Sequence, residues 1–192
     1  MHEKCQGKTD EELVVLSLRD EDYFWCLIKR YEQKLLRYII RISGISKEEA
    51  EDILQEVFIK VYQNLNNFDS SLKFSSWIYR ITHNQVISNY RKLQARPQNV
   101  NWELNEEMLN NISSDLDIEK EVNIKYLREN IEKVLNKLDK KYKEILILRF
   151  FEEKSYEEMS DILKKPMGTI ATLVNRAKKH FKEEVAKQGI NF

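Results

Sequence analysis

Glycine and proline are nearly missing from this chain, at four and two among 192 residues. That scarcity excludes turn-rich sandwiches and barrels, collagen-like repeats and long Gly/Pro linkers, and leaves helices as the element to look for. Two cysteines, Cys5 and Cys26, are too few for a disulfide framework and form no Cys-x-x-Cys pair, so they read as two reduced thiols. The three histidines, His2, His83 and His180, sit in no Glu-x-x-His pair, which removes the usual ligand set of a di-metal bundle. Neither a metal nor another cofactor is expected. No uncharged run approaches the ~20 residues needed to span a bilayer, and the first residues, with His2, Glu3, Lys4 and Asp10, lack the apolar stretch of a signal peptide. A cytoplasmic protein with no direct membrane insertion is the expectation. Nor can a nucleophile–base pair or a phosphate loop be assembled, so no catalytic residue and no enzyme activity are expected.

Charge is abundant, a third of all residues, and balanced at 32 basic against 32 acidic. The balance hides a sorted distribution. Lys73, Arg80, Arg91, Lys92 and Arg96 lie in a stretch with no acid, as do Lys164, Lys165, Arg176, Lys178, Lys179 and Lys182. Between the two stretches Glu103, Glu106, Glu107, Asp115 and Asp117 gather in an acidic spacer. Two basic surfaces held apart by an acidic segment is the pattern to explain.

Three Ser/Thr-x-x-Glu boxes announce helix starts: Thr9 with Glu12, Ser46 with Glu49, and Ser155 with Glu158. The first helix offers Leu13, Leu16 and Leu18 for burial. A second runs from Tyr23 to Ile42 and ends at Gly44 as a left-handed cap. The third places Ala50, Ile53, Leu54, Val57, Phe58, Val61, Tyr62 and Leu65 on one stripe. A fourth, from Phe74 to Leu93, turns Phe74, Ile78, Ile81 and Val86 inward. The reading is all-α: a four-helix bundle over 1–94, a flexible acidic linker over 95–124, and a second helical domain over 125–192. In that second domain a helix from Tyr156 to Leu163 packs Met159, Ile162 and Leu163 against Phe150. A tight turn at Lys164–Pro166 then leads to a helix that buries Ile170, Leu173 or Val174, Ala177 and Phe181.

Helix, short turn, helix at this spacing is a helix-turn-helix. Its second helix leaves Thr169, Thr172, Asn175, Arg176, Lys179 and Lys182 outward, small polar groups first and cations after, suited to base edges and phosphates. The competing reading is a plain helical hairpin with a solvated lysine face. On the fourth helix Trp77, Arg80, Asn84, Ser88 and Arg91 form a stripe opposite the apolar one, flanked by Tyr79, His83 and Tyr90. An aromatic among arginines suits single-stranded DNA, whose bases stack on rings while cations follow the backbone. The competing reading puts Trp77 in the core. The third helix carries Asp52, Gln55 and Glu56 on one outward ridge, a docking surface for protein or an ordinary solvated face.

The run Glu49-Ala50-Glu51-Asp52-Ile53-Leu54-Gln55-Glu56-Val57-Phe58, followed by Phe74-x-x-Trp77-Ile78-Tyr79-Arg80-Ile81-x-x-Asn84, resembles the conserved core region of bacterial sigma factors. Leu148-Arg149-Phe150-Phe151, Ser155-Tyr156-Glu157-Glu158-Met159 and Pro166-x-Gly168-Thr169-Ile170 resemble their C-terminal promoter-reading region. Order, separation and length are those of the small two-domain members, the extracytoplasmic-function group. The resemblance implies a region 2 domain and a region 4 domain in a chain that directs core RNA polymerase to promoters and helps open the strands. It implies that Asp52, Gln55 and Glu56 dock on core polymerase. Lys73, Trp77, Arg80, Asn84 and Arg91 would hold the single-stranded promoter −10 element. Thr169, Thr172, Asn175, Arg176 and Lys179 would meet the duplex −35 element. It also implies an anti-sigma factor as a partner and a linker running through polymerase channels. Departures from the family pattern stand at Ala171 and Leu173, where cations are common, at Lys164, where a turn glycine is common, and at Ser88, where aspartate is frequent. Two rivals remain from the residues alone: a stand-alone dimeric helix-turn-helix repressor, and a purely protein-binding adaptor.

Overall fold

A computed structural model of the chain describes residues 5–94 and 130–190. Among the described residues every regular element is helical. The first lobe comprises α1 (Asp10–Ser17), α2 (Asp22–Ser43), α3 (Lys47–Gln63) and α4 (Phe74–Gln94), with a 3-10 turn at Leu65–Asn67. The second comprises α5 (130–137), α6 (Lys140–Leu146), which continues as a π-helical turn over Ile147–Phe151, α7 (Tyr156–Leu163) and α8 (Met167–Lys187). The expected linker, 95–124, and the start of the second domain lie outside the described residues.

Local signals set the helix ends. All three capping boxes are closed: Thr9 Oγ1 accepts from the Glu12 amide at 3.2 Å while Glu12 accepts from the Thr9 amide at 2.7 Å. Ser46 with Glu49 and Ser155 with Glu158 repeat the arrangement, each satisfying two otherwise orphaned donors. Gly44 ends α2 at φ +71°, a conformation that a Cβ would penalise. Lys164 ends α7 at φ 52°, ψ 48°, so the departure from glycine there places a lysine in the left-handed region at a cost of about 1 kcal/mol.

Burial of the apolar stripes follows the helical period with three corrections, and a fourth concerns the cysteines. In α1 the inward residues are Leu13, Val14 and Ser17, and Leu18 is 48% exposed; two neighbouring positions lead into the core, which turns the face by one residue. Tyr62 is 48% exposed and leans on Phe24, ring to ring at 5.0 Å, because α3 reaches the rim of the bundle there. Phe150 is 53% exposed with the Lys178 ammonium over its ring. The wide turn at Ile147–Phe151 points Ile147 and Leu148 inward, and Phe151 takes the partly buried place instead. Cys5 and Cys26 are joined as a disulfide with their Cα atoms 5.6 Å apart; a sequence separation of 21 carries no hint of that proximity. On α2, Leu35, Tyr38 and Ile39 are fully buried, each contributing about 1.5–3 kcal/mol by leaving water.

The lobes do not stand apart. Helix α7 lies along α4, and α6 with its π-helical turn rests on α2, so that one apolar core runs through both. The turn after Phe151, with Glu153 at φ 53°, carries Glu152 and Lys154 into this seam, and Glu158 joins them from α7. Glu152, 6% exposed, accepts from Arg41 Nη1 at 2.9 Å and from the Tyr79 hydroxyl at 2.6 Å. Lys154 spreads its ammonium over the Tyr79 ring, 4.2 Å from the centroid. Glu158 meets Lys73 at 3.5 Å and Ser75 at 3.4 Å.

Candidate nucleic-acid interface

The helix-turn-helix presents its second helix to solvent as its sequence pattern requires. Ile170, Val174 and Ala177 are buried, so Val174 and not Leu173 takes the inward place, while Phe181 is partly buried. Thr169, Thr172, Asn175, Arg176 and Lys179 are all exposed. Their spacing of three to four residues makes one ridge along α8. The Thr172 hydroxyl donates to the Gly168 carbonyl at 2.9 Å, which leaves its methyl and its oxygen lone pairs for a ligand. Asn175 and Arg176 follow, an amide and a guanidinium whose donor patterns are complementary to adenine and guanine edges. Lys179 is paired only weakly with Glu183, at 3.9 Å.

Helix α4 divides the stripe that was expected to be solvated. Asn84, Ser88 and Arg91 are exposed, and Arg80 is half-buried. Lys73, just before the helix, is exposed and reaches Glu158. Trp77 departs from the expectation. It is 7% exposed, with ring centroids 5.3 Å from Phe68 and 5.7 Å from Phe74, so it belongs to the core in this arrangement. The turn residue Phe68 folds over the border between the two faces and closes it. Tyr79, placed at the edge of the stripe, is 2% exposed beneath Lys154. His83 is held by Tyr38 at 3.3 Å, and Tyr90 lies under the Lys140 ammonium at 4.1 Å.

Asp52, Gln55 and Glu56 are exposed on one ridge of α3. Glu56 accepts from the buried Gln85 amide of α4, whose oxygen accepts from Lys60. Asp52 and Glu56 rim a cleft of about 310 Å³ with Ile45, Ile53 and Asn89 on its walls. Among the described residues no group of three or more His, Cys, Asp or Glu side chains could hold a metal ion, and no helix is long and apolar enough to cross a membrane.

No contact between lobes was expected of Glu152, Glu158, Lys154 or His83, because no periodicity marks one. His83 carries a measurable consequence. Burial lowers its pKa to about 4, helped by Lys140 and Lys165 of the second lobe. The neighbouring Glu144 carboxyl is pushed up by burial, against the pull of the same two lysines. Because the folded pKa of His83 lies below the ordinary value of 6.5, neutral His83 contributes stability above pH 6.5 that is lost as acid forces a proton onto the ring, down to pH about 4. The shift corresponds to about 2–3 kcal/mol once partial exposure is discounted. A melt series from pH 7 to 4 should fall more steeply for the natural chain than for His83→Gln; parallel curves would remove His83 as the cause.

Comparison with known proteins gives the family. Residues 27–96 match the Sigma-70 region 2 family, and residues 128–181 match the Sigma-70, region 4 family. The chain is 30% identical to the ECF RNA polymerase sigma factor SigW of Bacillus subtilis (strain 168), over 86% of this chain and 90% of that one. It is 31% identical to the RNA polymerase sigma-H factor of Pseudomonas aeruginosa, over 88% and 90%. Its fold is similar to CnrH, solved in complex with the cytosolic domain of CnrY, at a TM-score of 0.68 and 18% identity, over 94% of this chain and 99% of that one. It is also similar to the sigma factor RpoE of Bartonella quintana, solved with the anti-sigma factor NepR, at 0.63 and 22%, over 85% and 96%. The chain belongs to the RNA polymerase sigma factors, in the ECF group. It is a non-enzymatic initiation factor that works with core RNA polymerase at promoters, which sets aside both the stand-alone repressor and the adaptor.

Proposed function

We propose that three surfaces of this chain divide the work of promoter opening. Asp52, Gln55 and Glu56 dock on core polymerase. Lys73, Arg80, Asn84 and Arg91 follow the backbone of the single-stranded −10 element, with Trp77 available for base stacking only after Phe68 moves aside. Thr169, Thr172, Asn175, Arg176 and Lys179 read the duplex −35 element. The domains then divide as 1–94, 95–124 and 125–192, and the site of action is the cytoplasm. The observation that supports this most is exposure: the docking ridge on α3 and the reading ridge on α8 are both uncovered while α4 is half covered.

That asymmetry gives polymerase a second task. Elements 25 base pairs apart lie roughly 85 Å from each other along B-DNA at about 3.4 Å per pair. A compact body of about 150 residues has a radius of gyration of roughly 15 Å and falls short of that distance, whereas the segment 95–129 could reach at most about 115 Å at ~3.3 Å per residue. Opening of the seam therefore accompanies polymerase binding. An anti-sigma factor, the kind of protein seen on the Bartonella relative, would act by keeping the seam shut or by covering the α3 ridge.

Runoff transcription with purified core polymerase on genomic promoters tests the assignment, and the Asp52→Ala chain sharpens it. Loss of a carboxylate that is exposed in the free chain should leave the melt unchanged and weaken polymerase binding by about 2 kcal/mol, roughly 30-fold. Unchanged affinity in a fluorescence titration would move the docking site elsewhere.

A further inference from the structure

We propose that Cys5–Cys26 is a thiol–disulfide exchange site whose oxidation state sets how firmly the amino terminus of α4 is held. The bond joins the segment before α1 to α2. One turn along α2 from Cys26, Arg30 grips the same segment: its Nη2 donates to the Cys5 carbonyl at 2.9 Å and the Lys8 carbonyl at 2.7 Å, and its Nη1 donates to Asp10 at 2.7 Å. The Tyr31 hydroxyl completes the clasp on Asp10. The next residue, Glu11, reaches α4, where its Oε1 accepts the Phe74 amide at 2.9 Å. Phe74 is the first residue of α4, so its N–H is one of the donors that a helix leaves unpaired at its start, and a carboxylate there also faces the positive end of the helix dipole. A continuous path thus runs from the sulfur pair through Arg30, Asp10 and Glu11 to the helix that carries Trp77 and Arg80.

The exchange has a defined entry. Cys26 is 2% exposed and Cys5 is half-buried, so a dithiol reductant attacks Cys5 Sγ. Its thiolate forms a mixed disulfide with Cys5 as the Cys5–Cys26 bond breaks, and Cys26 leaves as a thiolate that takes up a proton. The second thiol of the reductant loses its proton and attacks the mixed disulfide, releasing Cys5 as a thiolate, which is protonated in turn. Two electrons pass to the cysteine pair, and the reductant becomes a cyclic disulfide. The oxidised form of the same dithiol reverses the sequence. Once reduced, residues 5–9 lose their covalent tie to α2 while the Arg30 bonds and the Thr9–Glu12 cap remain, and Glu11 loses the covalent anchor that fixes its helix.

Thiol titration of the full chain purified without reductant comes first, and no free thiol per chain is expected. Two free thiols that air or an oxidised dithiol fails to close would overturn the site. Hydrogen exchange then compares the oxidised chain, the chain reduced with dithiothreitol, and Cys5→Ser/Cys26→Ser. Amides in the first turn of α4 should exchange about fivefold faster in the last two, with α8 unchanged. Glu11→Ala should give the same acceleration, and reducing that variant should add little, since both changes act along one path. Equal protection of α4 in both redox states, or full additivity, would overturn the link. The functional consequence rests on the reading that α4 holds the melted strand. Faster exchange without any change in promoter opening would leave the redox site standing and sink that strand assignment instead.

Discussion

Trp77→Ala should lower the melting temperature of the free chain by roughly 10 °C, the result of removing a buried indole worth about 3–5 kcal/mol from an aromatic cluster. The indole is 7% exposed and is held on two sides by Phe68 and Phe74. Phe74 in turn meets Tyr31 edge-on at 5.6 Å, so the cavity left behind would lie between α2, α4 and the turn that carries Phe68, where little can collapse to fill it. Strand opening will then fall for two reasons at once, and the pair must be separated. Trp77→Phe keeps a ring in the cluster and should recover most of the stability. If it recovers opening as well, a ring at this position is enough for the strand. If stability returns and opening does not, the indole itself is used after Phe68 swings away. A Trp77→Ala chain with an unchanged melt would contradict the core placement. Arg80→Ala gives the complementary case: a half-buried cation whose loss should spare the fold and reduce the salt dependence of −10 strand binding by about one ion.

The helices were legible because their signals are local. Capping boxes at Thr9, Ser46 and Ser155, a glycine at 44 and a lysine forced left-handed at 164 fix the ends of four helices without reference to anything distant. The outward ridge of α8 was legible for the same reason, since one helix packed on one side leaves a predictable other side. Helix α4 broke that rule. It is packed on one side by α2 and α3 and on another by α7, so a stripe counted as outward on the wheel became partly inward, and Phe68, from the segment between α3 and α4, covered its edge. The disulfide and the Glu152 clasp share the same obstacle. Both join residues far apart in sequence through side chains whose spacing has no period, and only the folded chain shows them meeting.

Glu152→Ala should open the seam. Its carboxylate bridges α2 and α4 from the second lobe, through Arg41 and Tyr79, and at 6% exposure it has almost no water to fall back on. Removing one member of a buried pair costs about 3–5 kcal/mol. Arg41 is 28% exposed and regains some hydration, so about 2–3 kcal/mol is the fair expectation, which shifts the ratio of closed to open chains roughly 30- to 150-fold. Small-angle scattering should show a larger radius of gyration. The segment around Tyr79 should lose exchange protection, and −10 single strands should bind the free chain more tightly than they bind the natural one. Tyr79→Phe removes a single hydrogen bond and should shift the same readouts by only about 1 kcal/mol. Salt separates this clasp from its neighbour: Lys73, 68% exposed, is screened from Glu158 at high ionic strength, whereas the buried Glu152 contacts are not. If 1 M salt alone opened the natural chain as far as Glu152→Ala does, the exposed pair and not the buried one would be holding the lobes together.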